Sequence, residues 1–167
     1  MRIAVVVGNP KPASRTLNVA TALADLLAAE LAPDAGHLVV DLAEHASDLF
    51  DWGAPRLTEL TQQVASAGLV IAASPTYKAT YTGLLKAFFD RYGNNGLAGS
   101  VAIPLMTGAA PIHQLAAEVH LRPLLVELGA TVPTRGLYVT EPEFADLAAP
   151  FARWTESAVP LLRQTLA

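Results

Sequence analysis

Five short runs of consecutive apolar residues recur along the chain, at 2–7 (RIAVVV), 37–42 (HLVVDL), 69–73 (LVIAA), 101–106 (VAIPLM) and about 135–139 (RGLYV). A strand with one wet face alternates apolar and polar residues. A strand covered on both faces need not, and such strands belong to parallel sheets. Between the runs lie segments of helical period. In 15–31, Leu17, Ala20, Leu23, Ala24, Leu27 and Leu31 fall on one stripe. Leu57, Leu60, Val64 and Ala67 mark a shorter helix over 56–67, and Leu84, Leu85, Phe88 and Phe89 another over 81–91. The period predicts a fourth helix over 112–128, from Ile112, Leu115, Ala116, Val119, Leu124 and Leu128. The last segment, about 144–166, carries Pro150 and Pro160, which are expected to kink or divide it.

Strand and helix therefore alternate five times, the pattern of an open, doubly wound α/β sheet. Five strands in 167 residues favour a flavodoxin-like parallel sheet of order 2-1-3-4-5, with helices on both faces. The whole chain, 1–167, reads as a single domain, with its longest irregular stretch at 43–55 (AEHASDLFDWGAP). Composition narrows the function classes. With 52% hydrophobic and 16% charged residues, disorder is excluded. Eleven Lys and Arg against 15 Asp and Glu give a net charge of −4, without the basic stripe that a nucleic-acid partner needs. Cysteine is absent, which rules out disulfides and thiolate chemistry. The first apolar run ends at Gly8-Asn9-Pro10, too short for a signal peptide, and no run reaches membrane length. The expected location is the cytoplasm.

In an open α/β sheet, ligands bind beyond the carboxyl ends of the strands at the switch point between strands 1 and 3. The loops to inspect are thus 8–16, 74–80 and 107–113, all rich in small and polar residues. The first, Gly8-Asn9-Pro10-Lys11-Pro12-Ala13-Ser14-Arg15-Thr16, puts two hydroxyls and a cation at a helix N-terminus. Free N–H groups and the helix dipole there favour an anion such as a phosphate. The loop is neither a Walker A sequence nor GxGxxG, and Ser14 also fits the simpler role of N-cap. The second, Ser74-Pro75-Thr76-Tyr77-Lys78-Ala79-Thr80-Tyr81-Thr82-Gly83, offers amides, hydroxyls and a ring to a flat heteroaromatic ligand. Tyr77 and Tyr81 equally fit half-buried packing, and Lys78 fits either an exposed position or a contact to the ligand.

GNPKPASRT after the first strand and SPTYKATYTGLLKAFFDR after the third resemble the NAD(P)H-dependent FMN reductase family, flavodoxin-like enzymes. The likeness is nearest to reductases that supply reduced flavin to two-component monooxygenases. Thr107-Gly108-Ala109-Ala110-Pro111-Ile112-His113 fits the same family. The resemblance implies FMN as ligand and NADPH or NADH as hydride donor. It implies that Ser14, Arg15 and Thr16 bind the phosphate, with Asn9 and Pro10 lining the same loop. It gives Pro75, Thr76, Tyr77 and Lys78 to the isoalloxazine, and Thr107, Gly108, Ala109 and His113 to its other edge. The family commonly has a second glycine where this chain has Ala109. A positive φ there would be strained.

Hydride transfer between two cofactors needs orientation rather than an acid or base side chain, so no catalytic residue is expected. The chain accordingly lacks a GxSxG elbow, and its histidines, at 37, 45, 113 and 120, show no metal-ligand spacing. No metal site is expected. A phosphoacceptor receiver domain shares the strand order but needs acidic residues where Gly8, Asn9 and Ser74 stand. Two alternatives stay open: an FMN-bound quinone, azo-dye or metal-oxyanion reductase on the same scaffold, and a non-enzymatic flavodoxin-like electron carrier. Lys11, Arg15, Lys78 and Arg122 each suit a 2′-phosphate, and none stands in a motif that decides between NADPH and NADH. The apolar faces of helix 81–92 fit either deep burial or a subunit interface, and the resemblance implies a homodimer or homotetramer. Trp52 reads as an exposed or interface aromatic, or as one reaching a neighbouring flavin.

Overall fold

In the computed structural model, which describes residues 1–167, the apolar runs form one parallel sheet. The strands are β1 (Arg2–Val7), β2 (Gly36–Asp41), β3 (Leu69–Pro75), β4 (Val101–Gly108) and β5 (Leu137–Thr140), in the order β2-β1-β3-β4-β5. β1 lies inside, with Val5 opposite Val39 on one side and Ile71 on the other. The helices are α1 (Arg15–Leu31), α2 (Pro55–Ala65), α3 (Gly83–Phe89), α4 (Arg122–Glu127) and α5 (Ala148–Leu166).

Successive strand residues point to opposite faces, and both faces are covered. Ile3, Val5, Val7, Ile71 and Ala73 pack with Leu23 and Leu27 of α1 and Trp154 and Leu162 of α5. Ala4, Val6, Val70 and Ala72 pack on the other side with Leu57 of α2, Phe88 of α3 and Leu125 of α4. This two-sided burial is the reason the strands are apolar at consecutive positions. No helix is long and apolar enough to cross a membrane.

The structure departs from the sequence reading in three places, and it decides a fourth that the reading left open. β3 and β4 run two residues further than their apolar cores, so that Pro75 pairs with Thr107. Ser74, Pro75, Thr107 and Gly108 therefore end strands rather than open loops. The segment 112–128 is not one helix. A 3₁₀ turn (Pro111–His113) and a π-turn (Ala117–Leu121) precede the short α4, and the Arg122 N–H reaches back five residues to the Ala117 carbonyl. Pro123, with no N–H to donate, follows the π-turn directly, so the irregular hydrogen bonding falls where the proline interrupts the ladder.

α5 is not divided. Pro150 falls in its first turn, and the carbonyl that Pro160 leaves without its helical donor belongs to Glu156, an exposed residue. A separate 3₁₀ turn, Glu141–Ala145, occupies the stretch before it. Finally, Phe88 and Phe89 of α3 are buried against each other and Tyr92, so the helix's two apolar faces are explained by burial. The exposed large apolar side chains stand elsewhere, notably Ile112, Leu115, Val119 and Val126.

Candidate active site

The end of β1 is fastened to the start of α3. The Gly8 N–H donates to the Ala73 carbonyl at 2.8 Å, and the Gly8 carbonyl accepts from the Thr82 hydroxyl at 2.5 Å. A side chain at Gly8 would overlap Leu85, so glycine alone permits this approach. Thr82 Oγ1 also accepts from the Leu85 N–H, capping α3. Ser74 Oγ accepts from the Thr82 N–H at 3.0 Å. Both hydroxyls are buried and committed to structure.

The loop from β1 to α1 is equally tied down. Asn9 Oδ1 accepts from the Lys11 N–H at 2.9 Å, while its Nδ2 donates to Thr16 Oγ1 at 3.2 Å. Thr16 Oγ1 lies 2.8 Å from Thr107 Oγ1, which links α1 to β4 across the sheet end. Ala13 stands at φ +50°, and its N–H donates to Asp41 Oδ2 at 3.0 Å. Ser14 Oγ accepts from the Leu17 N–H at 3.2 Å. Ser14 is therefore the N-cap, and the Arg15 and Thr16 N–H groups remain without an intrahelical acceptor, as the first turn of any helix requires.

After β3, the Thr76 N–H donates to the Thr107 carbonyl at 2.7 Å, holding the two strand ends together. Tyr77 and Thr80 then exchange both backbone hydrogen bonds, at 2.9 and 3.2 Å. Lys78 and Ala79, between them, stand at φ +51° and +67°. This is the geometry of a two-residue turn of the primed kind, formed here without glycine.

These segments enclose a cavity of about 500 Å³, within the range of small-ligand sites. Of the residues singled out in the sequence, Asn9, Ser14, Arg15, Thr16, Pro75, Thr76, Tyr77, Thr107, Gly108 and Ala109 line it. Pro10, Lys78 and His113 do not: each is exposed, Lys78 at the tip of its turn and His113 in the 3₁₀ turn beyond β4. Ala109 is not at positive φ, so the absent second glycine carries no backbone strain. The need for glycine falls one residue earlier, where a side chain on Gly108 would overlap the Tyr138 hydroxyl. Arg122 is committed elsewhere, donating to Glu118 at 2.6 Å and to the Val132 carbonyl at 2.7 Å. Trp52 is exposed and lies under the Arg91 guanidinium, 5.6 Å from it, on the loop after β2.

The sequence reading missed Glu141 and Phe144, which line the same cavity from the turn after β5. Arg15 Nη2 meets Glu141 Oε1 at 2.5 Å, and its guanidinium lies 5.2 Å from the centre of the Phe144 ring. Asp41, which holds Ala13, also went unread. The donor set suits FMN: amides at a helix N-terminus and cations at Lys11 and Arg15 for a phosphate, and an amide- and hydroxyl-bearing edge with one ring for a planar heterocycle.

Residues 1–144 match the model of the family described as NADPH-dependent FMN reductase. The NADH-dependent FMN reductase SfnF of Pseudomonas fluorescens (strain Pf0-1) is 32% identical over 158 residues, covering 87% of this chain and 80% of that protein. The FMN reductase (NADPH) of Escherichia coli (strain K12) is 36% identical over 92 residues, 55% of this chain and about half, 48%, of that relative. Among solved structures, an apo-form NADH:FMN oxidoreductase (EMOB) superposes with a TM-score of 0.89 at 28% identity, over 99% of this chain and 90% of that one. The chain thus belongs to the NADPH-dependent FMN reductase family, and is a flavin oxidoreductase that uses a reduced nicotinamide nucleotide and FMN.

Proposed function

We propose that the cavity at the ends of β1, β3 and β4 is the flavin site, and that reduced FMN leaves it to supply a flavin-dependent monooxygenase. The observation that carries this reading is the convergence of three loops on one crevice, with the N-terminus of α1 opening into it. The Arg15 and Thr16 amides and the Arg15 guanidinium would hold the phosphate, with Ser14 fixing the first turn and Asn9 and Thr107 fixing Thr16. Pro75, Thr76 and Tyr77 would hold the ring system on one side, Gly108 and Ala109 on the other. Bound flavin supplies the hydride acceptor, and the chain's own residues contribute orientation and amide donors rather than proton transfer. Tyr77 is half exposed, which leaves a face of the crevice open to a nicotinamide and to flavin exchange. Lys78 and His113, just outside the lining, are left for contacts to the nicotinamide nucleotide.

We place this single-domain enzyme in the cytoplasm as a homodimer or homotetramer. Support for assembly comes from Ile112, Leu115, Val119 and Val126, which are more than half exposed. Light scattering at micromolar concentration reads this directly, and a monomer there would refute it. Function is tested by following NADPH and NADH oxidation as FMN, riboflavin and quinones are added to the purified protein. The expected result is turnover that rises with free FMN. Turnover with quinone and none with excess flavin would contradict the reading in favour of a quinone-type reductase, and no nicotinamide oxidation at all would point to a carrier.

A further inference from the structure

We propose that Glu141 competes with the flavin phosphate for Arg15, and so sets how readily FMN exchanges. The proposal rests on the placement of the phosphate at Arg15 argued above. A site shaped only for tight binding of a dianion would exclude carboxylates, yet Glu141 lines the same cavity as Lys11 and Arg15. Its carboxylate meets the guanidinium at 2.5 Å.

The placement is built rather than incidental. Glu143 accepts from the Thr140 N–H and hydroxyl, both at 2.8 Å, and from Arg153 at 2.6 Å, which fixes the 3₁₀ turn Glu141–Ala145. In a 3₁₀ turn residues three apart eclipse one another. Glu141 and Phe144 therefore share a face, and both meet Arg15, one by charge and one beneath the guanidinium plane. The nearby Asp41 has no such role, because its oxygens are occupied by the Ala13 and Ala43 amides.

To turn to a phosphate, Arg15 must loosen its hold on Glu141 or share itself between two anions. Either way the affinity that Arg15 adds is reduced. The Arg15 and Glu141 side chains are 66% and 45% exposed, so their pairing is screened and breaks easily. Glu141 thus lowers FMN affinity by a modest factor without closing the site, as suits a flavin that leaves as product.

The test compares FMN and riboflavin affinities, by quenching of flavin fluorescence, for the native protein, Glu141→Gln, Arg15→Ala and the double variant. The expected result is FMN held about one-and-a-half- to fivefold more tightly by Glu141→Gln, chiefly through slower dissociation, with riboflavin unchanged. In the Arg15→Ala background most of that gain should vanish. Unchanged or weaker FMN binding in Glu141→Gln, an equal change for riboflavin, or a gain of full size without Arg15 would each overturn the competition. Arg15→Ala that loses no FMN affinity relative to riboflavin would remove the phosphate from Arg15, and with it the underlying reading. A normal Arg15→Ala loss without the Glu141→Gln gain would sink the competition alone.

Discussion

Left-handed backbone disfavours any residue with a Cβ, and three of the four non-glycine residues held there, Ala13, Lys78 and Ala79, lie in loops around the crevice. Strain of this kind persists where the surroundings over-determine it. Ala13 is held by Asp41, and the Lys78–Ala79 pair by the two hydrogen bonds between Tyr77 and Thr80. Replacing Ala79 with Gly should relieve about 1–2 kcal/mol of strain. It also adds about 0.5–1 kcal/mol of backbone entropy to the unfolded chain. The expected outcome is a small net gain in denaturant midpoint, with FMN affinity unchanged or lower. A clear fall in midpoint would contradict the strain assignment. At this scale the candidate residues were legible as types but not in their commitments. Ser14 was readable as either N-cap or anion ligand, and its oxygen is committed to the Leu17 N–H. Thr16 was readable as a phosphate ligand, and its hydroxyl is shared with Asn9 and Thr107. Such local hydrogen bonds depend on loop geometry that residue order does not specify.

Among elements, the segment around α4 departs furthest from its periodicity: Pro111 opens it on a 3₁₀ turn, Pro123 interrupts the ladder, and a local clamp holds the result. Arg122 ties Glu118 to the carbonyls of Val132 and Thr134, and Glu118 in turn accepts the Gly136 N–H, fixing the approach to β5. Partial burial pushes the Glu118 carboxyl upward, but the Arg122 and Gly136 hydrogen bonds outweigh it and hold the group below its ordinary value of 4.5. Glu143 behaves alike: burial raises it, and the Thr140 and Arg153 donors bring it lower. A carboxyl depressed in the fold stabilises it fully above its unfolded-state value and loses that contribution as pH falls through the folded one. Unfolding of the native protein should therefore become easier below about pH 4.5. Glu118→Gln should flatten that acid limb, measured by urea unfolding across the range. Identical slopes in the two proteins would show that the clamp does not respond to protonation. The turn carrying Glu141 was illegible for a related reason. It meets Arg15 across 126 residues of sequence, and only the β4–β5 pairing brings it there.

For the molecule as a whole, consecutive apolar positions were enough to specify a sheet covered on both faces, the alternation with helices made it parallel, and the count of five strands pointed to its order. β3 lies at the centre and β1 beside it, and both are buried beyond the exposed Arg2 that opens β1, which is why neither carries a further polar residue before its carboxyl end. The same logic put the crevice beyond the ends of β1, β3 and β4 before any side chain was placed. Its far wall, supplied by the turn after β5, depends on tertiary packing that no local pattern announces. The most direct measurement is a crystal structure of the protein with FMN. The phosphate is expected within hydrogen-bonding distance of the Arg15 and Thr16 amides, with the ring system against Pro75, Thr76 and Tyr77. A flavin bound in any other groove, or a phosphate pointing away from α1, would contradict the assignment.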